Sequence, residues 1–166
     1  PGPGVGGHCI PVYPYFLLEE FDVHAPLTRI ARTINDGMST YTVDRLREGL
    51  SESARSLEDA TVLVLGATYR PGVPELRNSP AISITERLAQ LGASVYSCDP
   101  LLDDVGPLAG ELVSLEDATS MDPDGVVVVT PHEVFTDIEW DAFDPAVVVD
   151  CHDALDLEGT AHLEYT

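Results

Sequence analysis

The sequence predicts an α/β fold in which a parallel sheet follows a long helical segment. Two observations carry this expectation. Four short β-rich runs, at 61–66, 94–100, 125–130 and 146–150, alternate with stretches of helical character, which is the pattern of βαβ units. Ahead of them, apolar residues recur at intervals of three and four from Leu27 to Leu50, marking one face of a long helix.

The chain opens on Gly4-Val5-Gly6-Gly7-His8-Cys9-Ile10-Pro11. Glycines permit close backbone approach and dihedrals closed to other residues, and Pro11 and Pro14 suit a first helical turn. Cys9 is therefore expected just ahead of a helix N-terminus, where oriented amides favour the thiolate, the nucleophilic form. The alternative is a structural turn with a small buried thiol. A short helix is expected over 14–21, ending before His24-Ala25-Pro26. From Pro26 a longer helix starts, with Leu27, Ile30, Ala31, Ile34, Met38, Tyr41, Leu46 and Leu50 on one face; Gly37 and Ser39 weaken its middle. Continuous to residue 53, it would be about 40 Å long. That is more apolar stripe than a small domain covers, so a subunit interface is expected, with packing wholly on its own domain as the alternative. Residues 51–59 are polar and read as a linker.

The run 61–66 is of the kind buried on both faces of a parallel sheet. Ser79-Pro80 opens a helix as N-cap and first residue, with Ile82, Ile84, Leu88 and Leu91 as apolar face and Gly92 closing it. After the second strand come a short helix at 115–120, the third strand, a helical turn at 132–135 and the fourth strand. Two domains follow: 1–56, with the cysteine loop and helices, and 57–166, a Rossmann-like sheet.

Charge narrows the partners. The 166 residues hold 29 acidic and 8 basic side chains, a formal −21, and every basic residue is arginine. Such a surface repels nucleic acid and anionic membranes. The acids are scattered and form no Asp-x-Asp-x-Asp-Gly calcium loop, so adaptation to a salt-rich cytoplasm, where salt screens self-repulsion, is the expected cause. No apolar run reaches the roughly 18 residues of a membrane span, and no signal-peptide pattern opens the chain. Cys9, Cys98 and Cys151 are too widely spaced for a zinc site or a disulfide framework and fit a reducing cytoplasm; no metal is expected. Pro1 lies inside a motif, so the chain reads as a piece of a longer protein.

In open parallel sheets, ligands bind beyond the carboxyl ends of the strands. Those ends are 66–71, Asp99-Pro100, Thr130-Pro131-His132 and Asp150-Cys151-His152-Asp153. Arg70 and Arg77 beside the first suggest an anion site, because guanidinium grips phosphate through two nitrogens. Ordinary salt bridges with Glu75 or Asp99 are the alternative. The first turn reads Gly66-Ala67-Thr68-Tyr69-Arg70-Pro71-Gly72 rather than Gly-x-Gly-x-x-Gly, so a standard dinucleotide site is not indicated.

Three blocks in order resemble the UDP-glucose/GDP-mannose dehydrogenase family. They are the opening motif with Pro14-Tyr15-Phe16-Leu17, then Ala31-Arg32-Thr33-Ile34-Asn35-Asp36-Gly37-Met38, then Gly66 to Val73 continuing to Arg77-Asn78-Ser79-Pro80. The likeness is greatest to the branch that oxidises UDP-N-acetylated hexosamines such as UDP-N-acetylmannosamine. The resemblance implies the C-terminal part of an NAD-dependent UDP-sugar 6-dehydrogenase, with a central helix carrying a homodimer and a sheet that closes over UDP. NAD would be bound mainly by an N-terminal domain outside this chain, and the 166 residues alone would be inactive.

Further implications of the resemblance concern single residues. Cys9 would be the catalytic nucleophile, holding the aldehyde between two hydride transfers to NAD⁺ as a thiohemiacetal and then a thioester that water releases as the uronate. Gly6 and Arg70 would bind substrate, Arg70 standing where the family typically has lysine, and Arg77 would reach toward the cofactor. The sequence departs from the family at Tyr13, where an Asp associated with the hydrolytic water is usual. It departs again at Asp150-Cys151-His152-Asp153, where Asp-x-Arg-Asn is usual, and at Pro74, where Asp is usual. His152 is expected to be a satisfied loop residue rather than a base. Other readings stay open: a UDP-glucose 6-dehydrogenase, a non-catalytic nucleotide-binding or dimerisation module, and a redox or cysteine-transfer protein using Cys9.

Overall fold

The computed structural model describes residues 2–20, 24–140, 145 and 147–155, with the backbone alone of 162–164. Two helices come first, α1 (Cys9–Glu20) and α2 (Pro26–Glu52). Then follow β1 (Thr61–Leu65), α3 (Pro80–Gln90), β2 (Ser94–Cys98), β3 (Glu111–Leu112), α4 (Leu115–Ser120), β4 (Gly125–Val128), a 3₁₀ turn at Glu133–Phe135, β5 (Val147–Asp150) and β6 (His162–Glu164). The strands form one sheet in the order β3-β2-β1-β4-β5-β6, and every neighbouring pair is parallel. This is a Rossmann-like α/β fold.

Alternation along the strands explains why the sheet is covered on both faces. Val62 and Val64 point into a cluster with Val43, Leu46 and Leu50 of α2 and with Ala81, Ile84 and Leu88 of α3. Leu63 and Leu65 point the other way, into a cluster with Val126, Val128, Ala118 of α4 and Phe135. Successive side chains of a strand face opposite sides, so an unbroken apolar run such as Thr61–Leu65 fits only a sheet packed on both. Register then aligns the carboxyl ends: Leu65 lies opposite both Cys98 and Val128, and Val128 opposite Asp150.

Helix α2 is continuous for 27 residues, with Pro26 in its first turn and no break at Gly37. Its two halves live in different surroundings. Val43, Leu46 and Leu50 are fully buried against the sheet, whereas Leu27 is 82% and Ile34 61% exposed. The alternative that the whole stripe packs on its own domain therefore fails for the first half.

Several elements differ from expectation. The first helix begins at Cys9 rather than at residue 14, so Cys9 opens the helix instead of preceding it. Pro11 lies in the first turn, where the backbone N–H has no intrahelical partner in any case; Pro14 is accommodated in the helix interior. The expected end of that helix at Phe21, and Ala146 at the start of the last predicted strand, lie outside the described residues. In α3, Ser79 caps as predicted, its side chain accepting from Ala81 N. Its buried face is Ala81, Ile84, Thr85 and Leu88, with Ile82 and Leu91 at the margin. The edge strands β3 and β6 were not foreseen; two or three residues are too short to show a period of two.

Candidate active site

The glycine loop ahead of Cys9 is fastened to the loop that follows β1. Gly7 N donates to the Arg77 carbonyl at 2.8 Å, and Asn78 Nδ2 donates to the Gly7 carbonyl at 2.8 Å. A Cβ on Gly6 would lie 2.7 Å from Tyr69 Cβ and 2.8 Å from the Asn78 carbonyl oxygen, so the approach requires glycine. Gly7 has φ +85° and faces the Tyr69 ring. Asn78 itself is left-handed at φ +51°, a conformation that asparagine tolerates better than most residues. On the other side of the loop, Val5 N donates to Asn35 Oδ1 of α2 at 3.0 Å.

Cys9 is exposed, while Cys98 and Cys151 are buried. Burial, with the neighbouring Asp99 charge added to it, pushes the Cys98 thiol up to about 11, which keeps it protonated and unreactive at neutral pH. The exposed thiol is thus the one at the first residue of α1.

Arg70 is exposed, with its guanidinium carbon 5.9 Å from the centre of the Tyr69 ring; among the described residues it has no carboxylate partner. Arg77 instead pairs with Glu75 at 2.8 Å, both side chains remaining well exposed. The ordinary salt bridge weighed for these arginines is therefore present at Arg77 and, among the described residues, absent at Arg70. Neither arginine, nor Cys9, lines the cleft of about 430 Å³ between α1, α2 and the start of α3, whose walls include Val5, Tyr15, Arg32, Asn35 and Asn78.

The turn after β1 is closed by the protein's own carboxylate. Ala67 N and Thr68 N donate to Asp99 Oδ2 at 2.7 and 2.8 Å, and Thr68 Oγ1 donates to the same oxygen at 2.9 Å. His132 Nε2 stands 3.1 Å from that oxygen and 3.0 Å from Thr68 Oγ1; because an ionised carboxylate only accepts, this nitrogen carries the proton. Burial alone would raise the Asp99 carboxyl, but hydrogen bonds from His132, Thr68 and Leu101 outweigh it and hold the group at about 2. In dinucleotide-binding folds, amides of this turn receive the pyrophosphate. Here Asp99 occupies them, so the residues present do not fit NAD at this turn.

His152 is engaged as a loop residue, Nε2 lying 3.0 Å from the Val129 carbonyl. Its neighbour Asp150 accepts from the amides of His152, Ala154 and Leu155. Tyr13 is exposed, its ring edge-on to His8 with centroids 5.4 Å apart. Among the described residues there is no cluster of potential metal ligands, and no helix is long and apolar enough to cross a membrane. Asn35, Tyr69, Asn78, Asp99 and His132 were not singled out from sequence for these contacts. A signal existed for Asn35, a poor helix former in the middle of a long helix.

Comparison with known proteins follows the same outline. The model of the UDP-glucose/GDP-mannose dehydrogenase family, UDP binding domain, matches residues 63–157. The NDP-N-acetyl-D-galactosaminuronic acid dehydrogenase of Ralstonia nicotianae is 35% identical over 154 residues, covering 90% of this chain and 35% of that protein. The UDP-N-acetyl-D-mannosamine dehydrogenase of Methanococcus maripaludis is 35% identical over 144 residues, covering 87% and 32%. A solved structure of UDP-D-ManNAc dehydrogenase from Pyrococcus horikoshii superposes with TM-score 0.82 at 28% identity, over 99% of this chain and 39% of that one. The chain spans about a third of the length of the curated relatives it matches.

Proposed function

Because this chain belongs to the UDP-glucose/GDP-mannose dehydrogenase family, we propose that it forms the C-terminal, UDP-sugar-binding part of an NAD-dependent nucleotide-sugar 6-dehydrogenase. The proposed substrate is UDP-N-acetylmannosamine, on which relatives such as the Methanococcus protein are named to act. One observation carries the reading: the exposed thiol of Cys9 follows a glycine loop bonded to the very loop that bears Arg70 and Arg77.

In this reading Arg70, free of any carboxylate partner among the described residues, takes the substrate diphosphate, and the side-chain-free backbone at Gly6 gives the hexose room. Arg77 faces NAD, which is held mainly by a domain other than this sheet; when bound, NAD⁺ accepts the hydride of each oxidation. Cys9 supplies the covalent step. Its thiolate adds to the C6 aldehyde, a sulfur–carbon bond forms, and the carbonyl oxygen takes a proton to give the thiohemiacetal. After the second oxidation, water attacks the thioester carbonyl, the sulfur–carbon bond breaks and Cys9 leaves as thiolate. Tyr13 offers no carboxylate, so that water is not activated from position 13.

Division into 1–56 and 57–166, pairing of two copies through the exposed half of α2, and a salt-rich cytoplasmic setting belong to the same proposal. Tyr13 favours one rival reading, a non-catalytic nucleotide-binding module. The two are separated by Cys9→Ala in the intact protein, assayed by NADH formation with UDP-N-acetylmannosamine, UDP-glucose and UDP-N-acetylgalactosamine. The dehydrogenase reading expects turnover by the wild type and a loss of about a thousandfold or more in the variant, with UDP binding retained. UDP binding without NADH formation by the wild type would establish the rival.

A further inference from the structure

We propose that Asn35, Asp36 and Arg32, on one turn of α2, are positioning residues that brace Cys9 from both flanks, a role that rests on the dehydrogenase reading. Cys9 sits where a loop becomes a helix, and each side of that junction is tied to the same turn. On the loop side, Val5 N donates to Asn35 Oδ1 at 3.0 Å. On the helix side, Tyr15 OH donates to Asp36 Oδ2 at 2.8 Å. The second oxygen, Asp36 Oδ1, accepts from Arg32 at 2.6 Å. Arg32 is itself buried, 7% exposed, with its guanidinium carbon 6.0 Å from the Tyr15 ring centre.

Within this chain, apolar packing does little to fix α1: among the described residues Leu18 is its buried residue, while Ile10, Tyr13, Phe16 and Leu17 are exposed. The ties that this chain itself supplies to direct the helix beginning at Cys9 are the polar ones to α2. An ordinary i,i+4 surface pair is a weak device, but this one is not ordinary: its arginine is buried and its carboxylate reaches across to another helix. Hydrogen bonds to charged groups are about twice as strong as neutral ones. None of the three residues needs to touch substrate for their loss to matter, since a displacement of about 1 Å at a reacting group can cost about a hundredfold in rate.

The test uses the intact protein with Asn35→Ala, Asn35→Asp and Tyr15→Phe. Aspartate at 35 keeps the acceptor for Val5 N but puts a second carboxylate where the amide donor lies 3.4 Å from Asp36 Oδ1; phenylalanine at 15 cuts the other tie without altering α2. We expect Asn35→Ala and Tyr15→Phe to lower kcat about tenfold or more with KM for the UDP-sugar within about threefold. Deuterium exchange over residues 2–8 should quicken in Asn35→Ala, and Asn35→Asp should restore the slower exchange together with part of the lost kcat. An unchanged kcat in both Asn35→Ala and Tyr15→Phe, or exchange over residues 2–8 as fast in Asn35→Asp as in Asn35→Ala, would overturn the brace. If the wild type does not turn over, the dehydrogenase reading fails separately, and exchange alone decides: faster exchange in Asn35→Ala than in wild type and Asn35→Asp upholds the brace, and equal rates reject it.

Discussion

Gly7 and Arg77 are joined backbone to backbone, the amide of one donating to the carbonyl of the other at 2.8 Å. Asn78 returns a side-chain bond to the Gly7 carbonyl. Two segments some seventy residues apart are thereby made one unit, and the place of the exposed thiol is coupled to the place of the cationic loop. A change that pries the segments apart moves both.

Gly6→Ala is the direct way to pry them. The new methyl would meet Tyr69 Cβ at 2.7 Å and a backbone oxygen, that of Asn78, at 2.8 Å. Backbone cannot rotate aside as a long side chain does, so the loop must lift. Overpacking of this kind costs about 1–3 kcal/mol, and we expect kcat to fall at least about tenfold. Wild-type turnover and melting temperature in Gly6→Ala would mean that the loop is not docked as described.

Arg70 is an exposed guanidinium without a carboxylate partner among the described residues, and it stands on the loop tied to Gly7, so removing it should weaken substrate binding without unfolding the chain. A hydrogen bond to a charged group is worth about 1.5–3 kcal/mol, which corresponds to a loss of roughly ten- to a hundredfold in UDP affinity for Arg70→Ala. Arg70→Lys keeps the charge but not the two-nitrogen fork and should fall between. Calorimetric titration of UDP into the intact variants measures it; equal affinity in all three would remove Arg70 from the site.

Asp99 makes stability depend on acid. Its folded value of about 2 lies below the ordinary 3.8, so the folded state favours the ionised form and the unfolded chain takes up the proton first. The stabilisation is complete above about pH 4 and disappears as pH falls toward 2, an effect on the order of 2 kcal/mol. In urea titrations, the stability gap between wild type and Asp99→Asn should be constant from pH 7 to 5 and shrink below 4. A gap that widens on acidification would contradict the assignment of Asp99 as an ionised acceptor.

What could be read from sequence alone follows the range of the interactions. The four inner strands β1, β2, β4 and β5 and helix α3 were legible because an apolar run such as Thr61–Leu65 and a Ser79-Pro80 cap are local statements. So was α2, since its periodicity spans many turns. The true start of α1 was not legible: two prolines in 9–14 argue against helix until one sees that Pro11 falls where no amide partner is needed. Asp99 with Thr68 and His132 was illegible for another reason. Three polar residues on separate strand ends meet only once the sheet register is fixed, and no spacing in the chain encodes that. Cys9, Gly6 and Arg70 stood out by residue type and resemblance, whereas Asn35 and Asn78, which hold the loop in place, looked like ordinary polar positions.

The first half of α2 should separate assembly from folding. Leu27, Ile30 and Ile34 are exposed, while the apolar core contacts of α2 lie in its second half, at Val43, Leu46 and Leu50. Ile30→Asp with Ile34→Asp should therefore leave the sheet intact and abolish pairing of copies, since burying a lone charge at an apolar contact is prohibitive. Sedimentation of the intact protein should shift from dimer to monomer with unchanged circular dichroism. A wild type that is monomeric, or a variant that stays paired, would place the subunit contact elsewhere or nowhere.

Salt should stabilise this protein more than most. With 29 acidic side chains against 8 basic ones, the folded state gathers like charges that the unfolded chain spreads apart, and compaction is opposed by their repulsion. That repulsion reaches about 30 Å at 0.01 M salt but only about 3 Å at 1 M, so raising KCl relieves the folded state more than the unfolded one. The melting temperature is expected to climb by several degrees between low salt and molar KCl. The climb should be shallower in a variant with Asp103, Asp104, Glu116 and Asp117 changed to their amides, because less repulsion is left to screen. A flat or falling melting temperature in the wild type would separate the acidic surface from any adaptation to salt, and the same slope in wild type and variant would locate the effect in something other than surface charge.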